Sequence, residues 1–190
     1  MHAALDPSDW IRRWSHLVPP GGSVLDVACG YGRHMRWFAG LGHDVTGVDR
    51  DPEALAAAST AGRTVQADIE NGPWPFSGRT FDAVVIANYL WRPLWPALLG
   101  SLGPAGVLIH ETFADGNETV GKPSRPDFLL RHGELLQLCQ GLRIVAYEDG
   151  FLDAPPRFVQ RIVAVRMDPA DGRARHRLQI ESAIPERTRP

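Results

Sequence analysis

Asp26, Asp49 and Asp68 stand at or just beyond the ends of three successive short apolar runs, and the turn Ala28-Cys29-Gly30-Tyr31-Gly32-Arg33 follows the first of them. Gly30 and Gly32 have no side chain and tolerate positive φ, so the backbone of this turn can approach a ligand closely where a helix begins. A dinucleotide fingerprint would place its glycines at Ala28, Gly30 and Arg33, and the third is missing. Asp26, two residues before Ala28, would repel a pyrophosphate and attract an ammonium, which favours a zwitterionic ligand. Asp49 lies 23 residues beyond Asp26, at the spacing where a carboxylate accepts both hydrogen bonds of a ribose diol. Asp68 can accept a bond from an exocyclic amine while Ile69 packs on a base; capping a helix is its alternative use.

These acids need a scaffold that brings strand ends together. Residues 23–29, 43–49, 64–67, 81–87 and 106–111 are short and rich in valine and isoleucine, as buried parallel strands are, and 33–40, 52–59 and 93–102 supply helices between them. Asp51 before Pro52 predicts a capped helix start, and Gly40 and Gly62 predict chain reversals past helix ends. After a polar stretch at 114–126 comes a predicted helix over 131–140. Strands at 142–151 and 157–167 flank the turn-forming Asp153-Ala154-Pro155-Pro156, predicting an antiparallel closing hairpin. The fold class is therefore α/β, a Rossmann-like doubly wound sheet, mostly parallel with an antiparallel last strand. Carboxyl ends of strands converge on the crevice where such sheets bind ligands, which is why three acids in register matter more than any one.

Trp10, Ile11, Trp14 and Leu17 fall at helical spacing, predicting a short amphipathic helix in an N-terminal segment, 1–19, that could also serve as a lid. Residues 20–167 form the ligand-binding domain, and 168–190, rich in arginine, acid and proline, are expected to be a flexible tail.

The 20 basic and 22 acidic residues of this 190-residue chain give a net charge of -2, which disfavours a nucleic-acid or membrane-surface binder. All basic residues but Lys122 are arginine, so a single arginine carries no signal until its position supports one. Two distant cysteines, Cys29 and Cys139, suit a reducing cytoplasm and give no metal motif.

The ordered set VLDVACGYG, GVDRDPEAL, QADIE, FDAVVIAN and GPAGVLIHE resembles the class I S-adenosylmethionine-dependent methyltransferases over residues 20 to 167. GYGRHMRWFAGLGHDVTGVD is similar to the bacterial small-molecule subgroup that includes tellurite-resistance-type enzymes. The resemblance implies a seven-stranded sheet and S-adenosylmethionine as cofactor. Asp26, Ala28, Gly30 and Gly32 would line its methionine part, Asp49 the ribose, Asp68 and Ile69 the adenine, and Asn88 the inner edge. Cys29, Arg33 and Arg50 complete this candidate cofactor set. Ala28 departs from the glycine that many members carry.

A sulfonium methyl is already activated, so few catalytic groups are needed. Glu111 is the expected base, with His34 and His110 behind it. Tyr89, Asn117 and Arg125 are the candidate substrate contacts, the last two in a lid-like loop over 112–128. The stretch Asn88-Tyr89-Leu90-Trp91 lacks the paired prolines of nucleic-acid amino-methylating enzymes, and no added recognition domain is visible. The expected acceptor is a small molecule, with no membrane partner and nucleic acid disfavoured; the alternatives are an RNA or protein methyltransferase and a non-catalytic S-adenosylmethionine-binding module, and the chain is expected to be a monomer or weak homo-oligomer.

Overall fold

The computed structural model describes residues 6–168, 170 and 175–178. Seven strands form one sheet: β1 (Ser23–Val27), β2 (Asp44–Asp49), β3 (Arg63–Gln66), β4 (Phe81–Ala87), β5 (Leu102–Phe113), β6 (Arg143–Asp153) and β7 (Pro156–Val165). Their order is β3-β2-β1-β4-β5-β7-β6. Pairing is parallel from β3 through β5, and β7 runs antiparallel to both β5 and β6. The order reverses direction between β1 and β4, which opens a crevice at the carboxyl ends of those strands.

Alternation along each strand sends residues to two cores. Val24, Val45, Ala83, Val85, Val107, Ile109 and Val163 pack on one face, under α1 (Asp9–Trp14) and α2 (Arg33–Gly40) with Leu55 and Ala58 of α3 (Pro52–Ala58). Leu25, Val27, Val84, Ile86, Leu108 and Ile162 pack on the other, with α4 (Trp95–Gly100) and α5 (Glu134–Leu138). Asp26 and Glu111 share the parity of the first set, whereas His110 and Thr112 share that of the second. That parity decides where their chemistry points.

Six residues are too few for an isolated helix, so α1 depends on what it buries. Trp10, Ile11 and Trp14 are buried, each indole contributing roughly 5 kcal/mol of apolar burial. Ser8 caps the helix through its hydroxyl, which accepts from the Trp10 amide. The tryptophans of α1 are thus core residues, and Trp95 is buried in the opposite core.

The Asp51 cap with Pro52 is as expected, its carboxylate accepting from the amides of Glu53 and Ala54. The expected reversal at Gly40 is instead made two residues later: Gly40 ends α2, and Gly42 takes positive φ (87°). Gly62 is extended, with φ 163°. The helix expected over 131–140 is shorter, because Gly133 adopts a left-handed conformation (φ 70°) and delays its start to Glu134. Met167 follows β7 without regular structure; of the tail, Asp168 does likewise and the Arg177 carbonyl lies 2.9 Å from Nε2 of His16, while most of the remainder lies outside the described residues. No described helix is long and apolar enough to cross a membrane.

Candidate functional site

The turn after β1 is held open by backbone conformation. Ala28, Gly30 and Gly32 all have positive φ (53°, 51° and 76°), and Ala28 bears the strain that glycine avoids at the other two. At Gly32 the fit is tight as well, because a Cβ there would stand 2.8 Å from the Ala58 Cβ. At Gly30 a Cβ would meet nothing within 4 Å, so this backbone faces open space.

Asp49, the last residue of β2, ties the turn down: Oδ2 accepts from the Gly30 amide at 2.8 Å and Oδ1 from the Asp51 amide at 3.0 Å. Each oxygen keeps a lone pair for a further donor. Asp68 caps a turn and no helix: Oδ1 accepts from the amides of Glu70 and Asn71 and Oδ2 from the Asn71 side chain. The Asn71 amide group and those two backbone amides hold its carboxyl below the usual carboxylate range. It also faces a groove of about 230 Å³ lined by Ala28, Asp49, Arg50, Ala67, Asp68, Ile69, Glu70 and Tyr89. A second cavity of about 270 Å³ is lined by Glu70, Asn88, Tyr89, Leu90, Thr112, Phe113, Pro123 and Phe128. The two share Glu70 and Tyr89.

Asp26 and Cys29 lie outside both linings. Asp26 is 1% exposed, its Oδ2 is buried without a hydrogen-bond partner, and Oδ1 lies 4.0 Å from Nδ1 of His34. Burial pushes its pKa up to about 7, with Arg33 opposing and Asp49 adding to the shift. Burial likewise pushes the Cys29 thiol up and keeps it protonated. His34 is driven down to about 3 by burial and then by the Arg33 charge, so it is neutral and its Nε2 accepts from the Ser8 amide at 3.3 Å.

Glu111 sits away from the cavities, contrary to its expected use as a base. It is 2% exposed, accepts from the Ser8 hydroxyl at 2.9 Å and pairs with Arg161 at 3.4 Å. The reason is strand parity: Glu111 points under α1, and its neighbour Thr112 lines the cavity. His110 is buried against Trp95, lowered to about 4 by burial, and its Nε2 donates to the Tyr89 carbonyl at 3.3 Å. It steadies the segment that carries Tyr89.

Of the expected substrate contacts, Tyr89 lines both cavities. Asn117 does not face them: it is 1% exposed, donates to the Pro123 carbonyl and accepts from the Phe158 amide, which pins the loop. Arg125 is exposed, paired with Asp127 at 2.9 Å and stacked on Phe128 at 5.2 Å. Neither Glu70 nor Arg92 carries a signal in the sequence. Arg92 meets both oxygens of Glu134 and the carbonyls of Asp127 and Leu129, clamping the wall that carries Phe128.

A family profile described as Methyltransferase domain matches residues 24–103. Over this stretch, less than half of its length, the chain is similar to the class I methyltransferases. It is 31% identical to the malonyl-[acyl-carrier protein] O-methyltransferase of Pectobacterium atrosepticum over 140 residues, which cover 65% of this chain and 54% of that protein. It is 37% identical to the ribosomal protein L11 methyltransferase of Burkholderia thailandensis over 89 residues, covering 45% of this chain and 28% of that one. The chain therefore spans about half or less of the length of these curated relatives. The fold matches the structure of TehB from Haemophilus influenzae with a TM-score of 0.65 and 20% identity, over 80% of this chain and 59% of that one.

S-adenosylmethionine is the cofactor of class I methyltransferases, and the residues present fit it. Asp49 has acceptor capacity left at the rim, the Gly30 backbone faces open space, and an orphaned buried carboxylate oxygen lies beneath the turn. Among the described residues no group of three or more His, Cys, Asp or Glu is placed to hold a metal.

Proposed function

We propose that this methyltransferase transfers a methyl group from S-adenosylmethionine to a small-molecule acceptor. The observation that carries the reading is the junction of the two cavities at Glu70 and Tyr89, where a donor on one side and an acceptor on the other would meet. S-adenosylmethionine supplies an electrophilic methyl group when bound, so the chain has mainly to align a nucleophile and exclude water. Asp49 would take the ribose hydroxyls, with Arg50 beside it. Asp68 and Ile69 would take the adenine, and the backbone of Ala28, Cys29, Gly30 and Gly32 the methionine end. Asp26 and Arg33 would set the field beneath that end. Tyr89 and Asn88 would stand between donor and acceptor, and Phe128, held by the Arg92 clamp, would shield the acceptor side from water.

A small acceptor is supported by size, because 270 Å³ lies just under the range of about 300–1,000 Å³ usual for small-molecule pockets. Two buried free cysteines suit a reducing compartment, which supports action in the cytoplasm.

The reading is tested by incubating the protein with methyl-labelled S-adenosylmethionine and fractionated cell extract. Label entering the small-metabolite fraction is expected. Label confined to RNA or protein would overturn the small-acceptor reading, and no transfer to any fraction would overturn the enzymatic one.

A further inference from the structure

We propose that the acceptor is a small amine carrying an apolar or aromatic body, an inference that rests on the methyltransferase reading above. Tyr89, Phe113 and Phe128 give the second cavity aromatic walls, and Leu90 and Pro123 add apolar surface. Its polar groups are Asn88, Thr112 and Glu70, and Glu70 is the one charged residue in the lining. An anionic acceptor drawn out of water there would meet a carboxylate and no cation. An ammonium would meet a carboxylate and the faces of aromatic rings.

Arg92 and Arg125 are committed elsewhere. The Arg92 guanidinium is taken up by Glu134 and the carbonyls of Asp127 and Leu129. That of Arg125 is held by Asp127 on the outer side of the loop, with 71% of its side chain exposed. Arg50 lines the other groove, beside Asp49 and Asp68.

Tyr89, which lines both cavities, carries its hydroxyl buried beside the Glu70 carboxylate. Burial first, and then the Glu70 charge, push the phenol up, so it stays protonated and leaves Glu70 as the anionic group that can accept from an incoming N–H.

The bound ammonium has no free lone pair, so it first gives one proton to the Glu70 carboxylate, which is half-exposed and can hand that proton on to solvent. The freed nitrogen lone pair then forms the N–C bond while the methyl's bond to sulfur breaks and sulfur keeps that pair, leaving an N-methylammonium product.

Two probes separate the acceptor classes at constant shape: phenethylamine and 3-phenylpropionate, opposite in charge on the same ring and chain length. Their binding to the protein saturated with S-adenosylhomocysteine is measured by ligand-observed NMR. Phenethylamine is expected to bind about tenfold more tightly, a difference near 1.4 kcal/mol. Glu70→Gln is expected to remove most of that preference, and Phe128→Ala to weaken amine binding several-fold, with far-UV circular dichroism confirming that each variant is folded. Equal or tighter binding of 3-phenylpropionate, no binding of either probe, or an unchanged preference in Glu70→Gln would overturn the amine assignment while leaving the cofactor reading intact. Should S-adenosylhomocysteine itself fail to bind the wild-type protein, the methyltransferase reading falls and the acceptor assignment with it.

Discussion

The hydroxyl of Ser8 donates to the Glu111 carboxylate at 2.9 Å across 103 residues of sequence, so the residue that caps α1 also fastens it to the end of β5. The other oxygen of Glu111 lies 3.4 Å from Arg161, whose guanidinium stacks over Trp10 at 5.3 Å. Cap, carboxylate, arginine and indole form one joint between the N-terminal helix and the sheet. Through His34, which accepts from the Ser8 amide, the joint reaches the helix that follows the glycine turn after β1.

Ser8→Ala removes the cap and a bond to a charged acceptor, and is expected to cost about 1–2 kcal/mol of stability. Glu111→Ala leaves Arg161 largely buried with Glu148 alone, and is expected to cost roughly 3 kcal/mol. Urea unfolding checks both. Turnover lost from Glu111→Ala at undiminished stability would return Glu111 to the role of base.

Asp26 gives a pH signature. Its pKa rises from 3.8 to about 7 on folding, so between those values the native chain holds a proton that the unfolded chain gives up. Stability contributed at this site therefore falls as pH rises through that window and is constant outside it. Asp26→Asn stays neutral throughout, so its stability relative to wild type is expected to climb across that window and level off above about 7. Urea unfolding at a series of pH values reads the difference, and a flat difference would show that Asp26 is ionised in the native protein across the window.

Arg92→Ala should loosen the wall of the second cavity. It removes a paired contact to Glu134 and two carbonyl contacts, and a loss of about 2–3 kcal/mol is expected. Hydrogen exchange should quicken at the amides of Asp115 and Leu130, which bond across the wall to the carbonyls of Leu130 and Phe113. Unchanged protection there would mean that the wall stands without Arg92.

Much of the architecture was legible because it is local. The runs of valine and isoleucine mark the strands, Asp51-Pro52 marks the start of α3, and the turn after Val27 announces itself by its glycines. The position of α5 was less legible, since Gly133 in a left-handed conformation moves its start. Of the groove that Asp49 and Asp68 line, both acids were visible at or just beyond strand ends. The role of Glu111 was not, because its partner Ser8 is joined to it only by how α1 docks. The second cavity was harder still: Glu70, Tyr89, Thr112 and Phe128 come from four separate segments, and only the fold brings the loops after β3 and β4, the end of β5 and the loop beyond it round one space.

The central claim is that the crevice above β1 and β2 binds S-adenosylmethionine with Asp49 as its ribose anchor. Isothermal titration of S-adenosylmethionine into wild-type protein and into Asp49→Ala tests it most directly. Saturable one-to-one binding is expected for the wild type, weakened by roughly 1–3 kcal/mol in the variant, where the ribose hydroxyls and the Gly30 amide lose their acceptor. No binding to the wild type, or equal affinity in both, would contradict the claim.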